Sequence, residues 1–324
     1  MRWLGRLIAL LLILAIAVPL TFRVLAAFRE SEVAGSAIPT EGAMIPTRVG
    51  DIYVEEQGDP NAPPVIFVHG SVGWAGLWRE AMTAVAAEGH RAIAFDMPPM
   101  GYSARFDSDN YARPEQGSRL LALVDALDIK PIIVAHSFGA GAAVEAVMAE
   151  PDAFRGLIIV DGALGVGKTG AGGLPGAIVS QGWLAEIAVA STITNPLMTK
   201  RLLRAFMAKK DMASDTYVDL IQQPLNLDGT TESIARWLPT LIATPAGTRS
   251  SDPEEYRRAS LPTAIIWGEA DTTTPIEQGR ELAELIPNAR LLVLPDLGHI
   301  PQIEDPVAFQ KALTEALQGM EIRN

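Results

Sequence analysis

Apolar positions along this chain follow two alternating rhythms. Short apolar runs bounded by turn residues recur at Ile52 to Val54, Val65 to Val68, Ala92 to Phe95, Ile132 to Ala135, Leu157 to Val160, Ala264 to Trp267 and Leu291 to Leu294. Runs of that length, rich in β-branched residues, are expected as buried strands. Between them the spacing changes to a helical period over Ala75 to Ala87, Glu115 to Leu127, Gly139 to Ala149, Ile276 to Ile286 and Val307 to Leu317. Alternation of this kind predicts an α/β fold whose mostly parallel sheet is covered by helices on both faces. Its ligands should sit beyond the carboxyl ends of the strands. The rhythm fails between Val160 and Ala264, where only helical patterns occur, around Ile178 to Ala190, Leu197 to Lys210 and Thr231 to Leu241. Residues 163–262 are therefore expected as an inserted helical cap, dividing the core into 47–162 and 263–324.

The first residues carry a different pattern. Leu7 to Phe22 is an uncharged run between Arg6 and Arg23, and as a helix it rises about 24 Å. That is short of a hydrocarbon core of about 30 Å. Trp3, Leu4 and Val24 to Phe28 extend it, and the flanking arginines can snorkel to the interfaces. Residues 1–29 are expected as an uncleaved signal anchor, with Arg2 and Arg6 on the cytoplasmic side and the body of the chain outside. The alternative is a secretory peptide processed near Ala26 and Ala27, which would leave a secreted or periplasmic protein; a buried globular helix is the third reading. Residues 30–46 mix Gly, Ser, Ala, Pro and Glu and are expected as a linker.

Composition narrows the chemistry. The chain has 324 residues and a net charge of -12, the wrong sign for attraction to nucleic acid. It has no cysteine, so thiol nucleophiles, thiolate metal sites and disulfides are excluded. Imidazole chemistry must use His69, His90, His136 or His299.

One strand candidate leads straight into chemistry. Ile132-Ile133-Val134-Ala135-His136-Ser137-Phe138-Gly139-Ala140-Gly141 joins a buried strand to a small-residue helix through a serine. Such a turn exposes the serine hydroxyl, provided that small residues two before and two after let the backbone pass. Those residues are Ala135 and Gly139. From Thr47 to Leu317 the chain resembles the alpha/beta-hydrolase family, on this motif and four others. Val65-Ile66-Phe67-Val68-His69-Gly70-Ser71 is similar to the strand that ends in His-Gly. Asp96-Met97-Pro98-Pro99-Met100-Gly101-Tyr102-Ser103 is similar to the family's Asp-x-Pro-Gly-x-Gly-x-Ser loop, with Pro99 for the first glycine. Trp267-Gly268-Glu269-Ala270-Asp271, followed by Pro275, resembles the loop of the acid. Leu297-Gly298-His299, followed by Glu304 and Pro306, resembles the loop of the histidine.

A serine hydroxyl needs an imidazole to take its proton and a carboxylate to orient that imidazole. Ser137, Asp271 and His299 occur in the chain order of this architecture. Asp161, at the end of another strand candidate, is the rival acid. His69 and His136 are placed less well as the base, and His90 lies in a polar turn expected to be solvated. The backbone N–H groups of Ser71 and Phe138 are the candidate oxyanion donors. The resemblance implies a serine hydrolase with no metal and no cofactor. Its expected substrate is a hydrophobic carboxylic ester. A carbon–carbon bond hydrolase, a perhydrolase or acyltransferase, and a non-catalytic binding protein on the same fold are the alternatives.

Gly162-Ala163-Leu164-Gly165-Val166-Gly167-Lys168-Thr169 matches a phosphate-loop string. The Gly- and Pro-rich stretch that follows it opposes the helix such a loop needs, so no nucleotide is expected. The cap carries Ile178, Trp183, Leu184, Ile187, Leu197, Met198, Leu202, Leu203, Phe206, Met207 and Met212 beside a basic cluster of Lys200, Arg201, Arg204, Lys209 and Lys210, for which a solvated helix face is expected and a seat on anionic lipid beside the anchor is the alternative. Most of these should pack helices or face water, and some should line a pocket for a small apolar substrate.

Overall fold

The computed structural model describes residues 2–32, 38–105, 110–167, 182–242 and 247–321. The strands are β1 (Gly42–Thr47), β2 (Gly50–Gln57), β3 (Pro64–Val68), β4 (Arg91–Phe95), β5 (Ile132–His136), β6 (Gly156–Val160), β7 (Thr263–Gly268) and β8 (Arg290–Leu294). They form one sheet in the order β1-β2-β4-β3-β5-β6-β7-β8. From β4 to β8 every pairing is parallel, while β1 and β2 pair antiparallel at one edge. Each of the seven apolar runs lies in a strand. β1 is additional and falls in the stretch expected as a linker. As an edge strand it tolerates Pro46, and its alternately half-buried residues form no apolar run.

The α-helices are α1 (Arg2–Arg29), α2 (Arg79–Ala87), α3 (Arg113–Leu127), α4 (Phe138–Ala149), α5 (Gly182–Ser191), α6 (Pro196–Phe206), α7 (Asp215–Gln222), α8 (Thr230–Ile242), α9 (Pro253–Arg257), α10 (Ile276–Leu285), α11 (Pro301–Glu304) and α12 (Pro306–Glu321). The strand period of two sorts side chains between the faces. Ile66, Val68, Ile133 and Ala135 pack with residues of α3, α4 and α10. Val65, Phe67, Ile132 and Val134 pack with residues of α2 and α12. The core thus lies on both sides of a buried sheet, as the alternating pattern requires.

The segment between β6 and β7 supplies α5 to α9. Asn195 caps α6 by accepting from Leu197 N at 3.1 Å, and Ser214 caps α7 by accepting from Tyr217 N at 3.4 Å. The helical pattern from Ile178 is described from Gly182 onward; its first residues lie outside the described ones. Most of the basic cluster is paired: Lys200 with Asp215, Arg204 with Asp211 and Lys209 with Asp305.

α1 has 28 residues, about 42 Å of helix. It is long and apolar enough to cross a membrane, and its apolar window is not buried against the rest of the chain. Its last turns do pack: Arg23 pairs with Glu186 at 2.8 Å, and Arg29 donates to the Thr194 carbonyl at 2.6 Å.

Candidate active site

β5 drives straight into Ser137, whose backbone stands at φ 51°, ψ -121°. A non-glycine residue holds such a conformation at a cost of about 1–3 kcal/mol, so its surroundings must enforce it. Ser137 N donates to the Val160 carbonyl at 3.0 Å, and the Ser137 carbonyl accepts from Ala140 N at 3.1 Å and Ala163 N at 3.0 Å. Gly139 is required by space, because a Cβ there would lie 2.4 Å from the His69 carbonyl oxygen. Ala135, where the motif has glycine, fits fully buried in β5.

The loops after β7 and β8 bring two further groups to this point. His299 Nε2 lies 2.8 Å from Ser137 Oγ, and His299 Nδ1 lies 2.7 Å from Asp271 Oδ2. All three residues are buried. Asp271 collects other donors: Thr273 N at 2.7 Å and Thr274 N at 3.0 Å reach Oδ1, and the Thr274 hydroxyl donates to Oδ2 at 2.6 Å. Burial alone would push its carboxyl up; the His299 and Thr274 bonds outweigh burial and hold it below the usual carboxylate range. Such an arrangement can pass a proton from an alcohol to an imidazole braced by an anion.

Asp161 stands at the end of β6 with φ 44°. Its Oδ1 accepts Gly268 N at 2.8 Å, and its Oδ2 is buried without a hydrogen-bond partner. Burial first, and the neighbouring Asp271 charge second, push its carboxyl well above the usual range. Ligand atoms of Asp161, Asp271 and His299 lie within 4.8 Å of one another, a spacing a metal ion would also accept. Both nitrogens of His299 are already committed, to Asp271 and to Ser137, so the set fits the proton relay better than a cation.

The other three histidines do different work. His69 Nδ1–H donates to the Gly70 carbonyl at 2.8 Å, and its Nε2 accepts Met97 N at 2.8 Å; burial lowers it to about 4, which keeps it neutral. His136 Nε2–H donates to the His299 carbonyl at 2.7 Å, tying the nucleophile turn to the histidine loop. Burial, with nearby His299, lowers His136 to about 3. His90, expected in water, is buried: Ala87 to Gly89 stay exposed, but the chain then turns back, with His90 N donating to the Val85 carbonyl at 3.3 Å and the His90 carbonyl packed on Gly58.

Phe138 opens α4, so its N–H has no acceptor within the helix. Ser71 follows Gly70, which packs tightly enough on the nucleophile that a Cβ there would lie 3.0 Å from Ser137 Cβ. Both candidate oxyanion donors therefore lie beside Ser137. Asp96 braces the adjacent loop by accepting Ala75 N and Tyr102 N, each at 2.6 Å.

Three contributors, Thr274, the Phe206 carbonyl and Trp237, carry little sequence signal, while Glu304 belongs to the histidine-loop pattern. Glu304 takes Gly298 N at 3.0 Å, Ala208 N at 2.8 Å and Lys209 N at 2.9 Å, joining the histidine loop to the cap. The Phe206 carbonyl accepts His299 N at 3.0 Å, and its ring lies 5.9 Å from the imidazole. Trp237 of α8 meets the Phe138 ring edge-on at 5.3 Å. In the phosphate-loop string, Lys168 and Thr169 lie outside the described residues.

Comparison with known proteins follows the same lines. A family model described as alpha/beta hydrolase fold matches residues 63–306. The 2-hydroxymuconate semialdehyde hydrolase of Pseudomonas putida is 28% identical over 262 residues, covering 78% of this chain and 86% of that protein. A solved meta-cleavage product hydrolase from Pseudomonas fluorescens shares the fold with TM-score 0.69 and 23% identity, over 86% of this chain and 97% of the other. A membrane phospholipase A shares it with TM-score 0.68 and 17% identity, over 99% of both chains.

Proposed function

The chain belongs to the alpha/beta-hydrolase fold family, and from that premise we propose that Ser137, His299 and Asp271 make it a serine hydrolase of small acyl compounds. The observation that carries this reading is the continuous relay of 2.8 Å and 2.7 Å through His299. As Ser137 Oγ bonds to a substrate carbonyl carbon, its proton passes to His299 Nε2, and Asp271 stabilises the resulting imidazolium. The N–H groups of Ser71 and Phe138 receive the oxyanion. When the carbonyl re-forms, the bond to the leaving group breaks and that group takes the proton from His299. Water then attacks the acyl-serine, gives its proton to the same nitrogen and releases an acid with Ser137 restored.

For the bond broken, the curated relatives support carbon–carbon cleavage. Besides the Pseudomonas putida enzyme, a 2-hydroxy-6-oxononadienedioate/2-hydroxy-6-oxononatrienedioate hydrolase of Paraburkholderia xenovorans is 29% identical over 265 residues. The substrate class we favour is accordingly a conjugated 2-hydroxy-6-oxo acid: once the 2-hydroxyl proton has moved to C5, giving the 2-oxo tautomer, the departing C5 can spread its electron pair through the C3–C4 double bond into the 2-oxo group. Cleavage of an apolar carboxylic ester is the second reading, and the apolar α1 packed beside the cap favours it. In both, α1 crosses the bilayer and leaves the hydrolase body outside the cytoplasm.

A fluorophosphonate probe should label the full-length chain but not Ser137→Ala; labelling of neither would leave a binding protein. Turnover of a 2-hydroxy-6-oxo-2,4-dienoate should then exceed that of p-nitrophenyl esters of graded length. The reverse order selects the ester reading. Recovery of the full-length chain with membranes, and release on deletion of residues 1–29, tests the anchor.

A further inference from the structure

The way α1 leaves its apolar stretch fixes where the cap stands. On α1 the covered positions are Pro19, Phe22, Arg23, Ala26 and Arg29, one stripe at helical spacing. Its partners come in the same order along the cap: Arg23 pairs with Glu186 of α5, and Arg29 reaches the carbonyl of Thr194 just beyond α5. Glu30 then accepts Thr231 N, at the start of α8, at 3.1 Å. Matching order on two helices means that α1 and α5 run side by side in the same direction. The start of α5 therefore points back along α1 towards its apolar stretch.

The levels can be worked out from helix rise. Trp3 to Phe22 spans about 30 Å, the thickness of a hydrocarbon core. The Arg23–Glu186 pair then stands at the membrane surface. Trp183, three residues before Glu186, is about 4.5 Å deeper, where headgroups meet acyl chains. Trp183 is 64% exposed, and among the described residues of α5 only it and Gly182 are exposed. Tryptophan favours that layer because its ring is apolar and its N–H is polar.

We propose that Gly182 and Trp183, the leading edge of the cap, are a bilayer contact seated in the headgroup layer beside α1. The contact rests on the reading of α1 as an anchor. It continues inward by packing: Ala185 and Val189 of α5 share a core cluster with Trp237, and Trp237 lies on Phe138 next to the nucleophile. The cap is thus braced between lipid and Ser137, which suits a substrate with an apolar body that partitions into the membrane.

The absence of cysteine makes the test direct. A nitroxide would be attached in the full-length chain at Trp183→Cys, at Ile13→Cys within α1, and at Asp59→Cys in the β2–β3 turn, at the other end of the sheet. Each protein would be reconstituted in phosphatidylcholine–phosphatidylglycerol vesicles, and collisions with oxygen and with a soluble nickel chelate measured. Position 13 should favour oxygen, position 59 nickel, and position 183 should lose nickel collisions relative to 59. Gly182→Cys repeats the measurement should Trp183→Cys misfold. A label at 183 as open to nickel as one at 59, with 13 deep, overturns the contact while the anchor stands. A water-exposed label at 13 overturns the anchor reading, and the contact with it.

Discussion

The loops after β6 and β7 place two buried carboxyl groups side by side and give them opposite characters. Asp161 is fully buried and Asp271 nearly so, and both lie within 4.8 Å of the same imidazole. Burial raises both carboxyls, Asp161 more because it lies deeper, and the Asp271 charge raises Asp161 further. Donors widen the difference. The turn after β7 aims two backbone N–H groups, a hydroxyl and an imidazole at Asp271. The end of β6 offers Asp161 the single N–H of Gly268. One is held as an anion, and the other is pushed towards its neutral form. Proximity to the histidine therefore does not identify the orienting group; the hydrogen bonds it receives do.

The comparison breaks most readily at the anion itself. Asp271→Asn should lower kcat by about four orders of magnitude, the loss expected when the imidazole is held in the wrong tautomer. Asp161→Asn should leave kcat within a few-fold. Measured on the better of the two substrate classes, the opposite ranking would make Asp161 the orienting acid.

Thr274→Val sharpens the same point with a smaller change. It removes one of the donors that set Asp271 apart, and a hydrogen bond to a charged group is worth about 1.5–3 kcal/mol. Expressed in the transition state, that is roughly a ten- to hundredfold loss in kcat. Thr274→Ser, which keeps the hydroxyl, should restore the rate. A serine variant as slow as Thr274→Val would mean that Thr274 only packs. His136→Phe should cost less, about two- to tenfold, because it removes a neutral hydrogen bond to the His299 carbonyl. His136→Gln, which keeps a donor, should recover part of it; equal losses would show that packing dominates.

How much of this was legible beforehand follows from where the physics is local. Ser137 could be placed because a strand, a tight turn and a small-residue helix are each written in consecutive residues. His299 could be placed because its loop has its own short pattern. The choice between Asp271 and Asp161 rested on a loop resemblance and could not be derived from spacing, since each lies within three residues of the end of an apolar strand and their donors come from folded turns. β1 was illegible because an edge strand is half exposed and forms no apolar run. The cap's share of the site rests on the Phe206 carbonyl and on backbone N–H groups gathered by Glu304. Main-chain groups leave no mark in the identity of the residues that carry them.

The smallest effect tests the neutral partner of the pair. The folded carboxyl of Asp161 sits well above its ordinary value, while in the unfolded chain it titrates near 4. Above pH 4 the unfolded state releases this proton and the folded state keeps it, so stability falls as pH rises until the folded group also ionises. The slope from one such group is at most about 1.4 kcal/mol per pH unit. Asp96, which burial raises to about 8, adds a slope of the same sign, but it is present in both proteins and cancels in the comparison. Asp161→Asn cannot titrate, and its amide oxygen can still accept Gly268 N. Thermal unfolding between pH 5 and pH 8 should therefore show a melting temperature that falls less steeply in the variant than in the wild type. Parallel curves would mean that Asp161 is already ionised in the fold, and the contrast between the two loops would have to be explained by something other than donors.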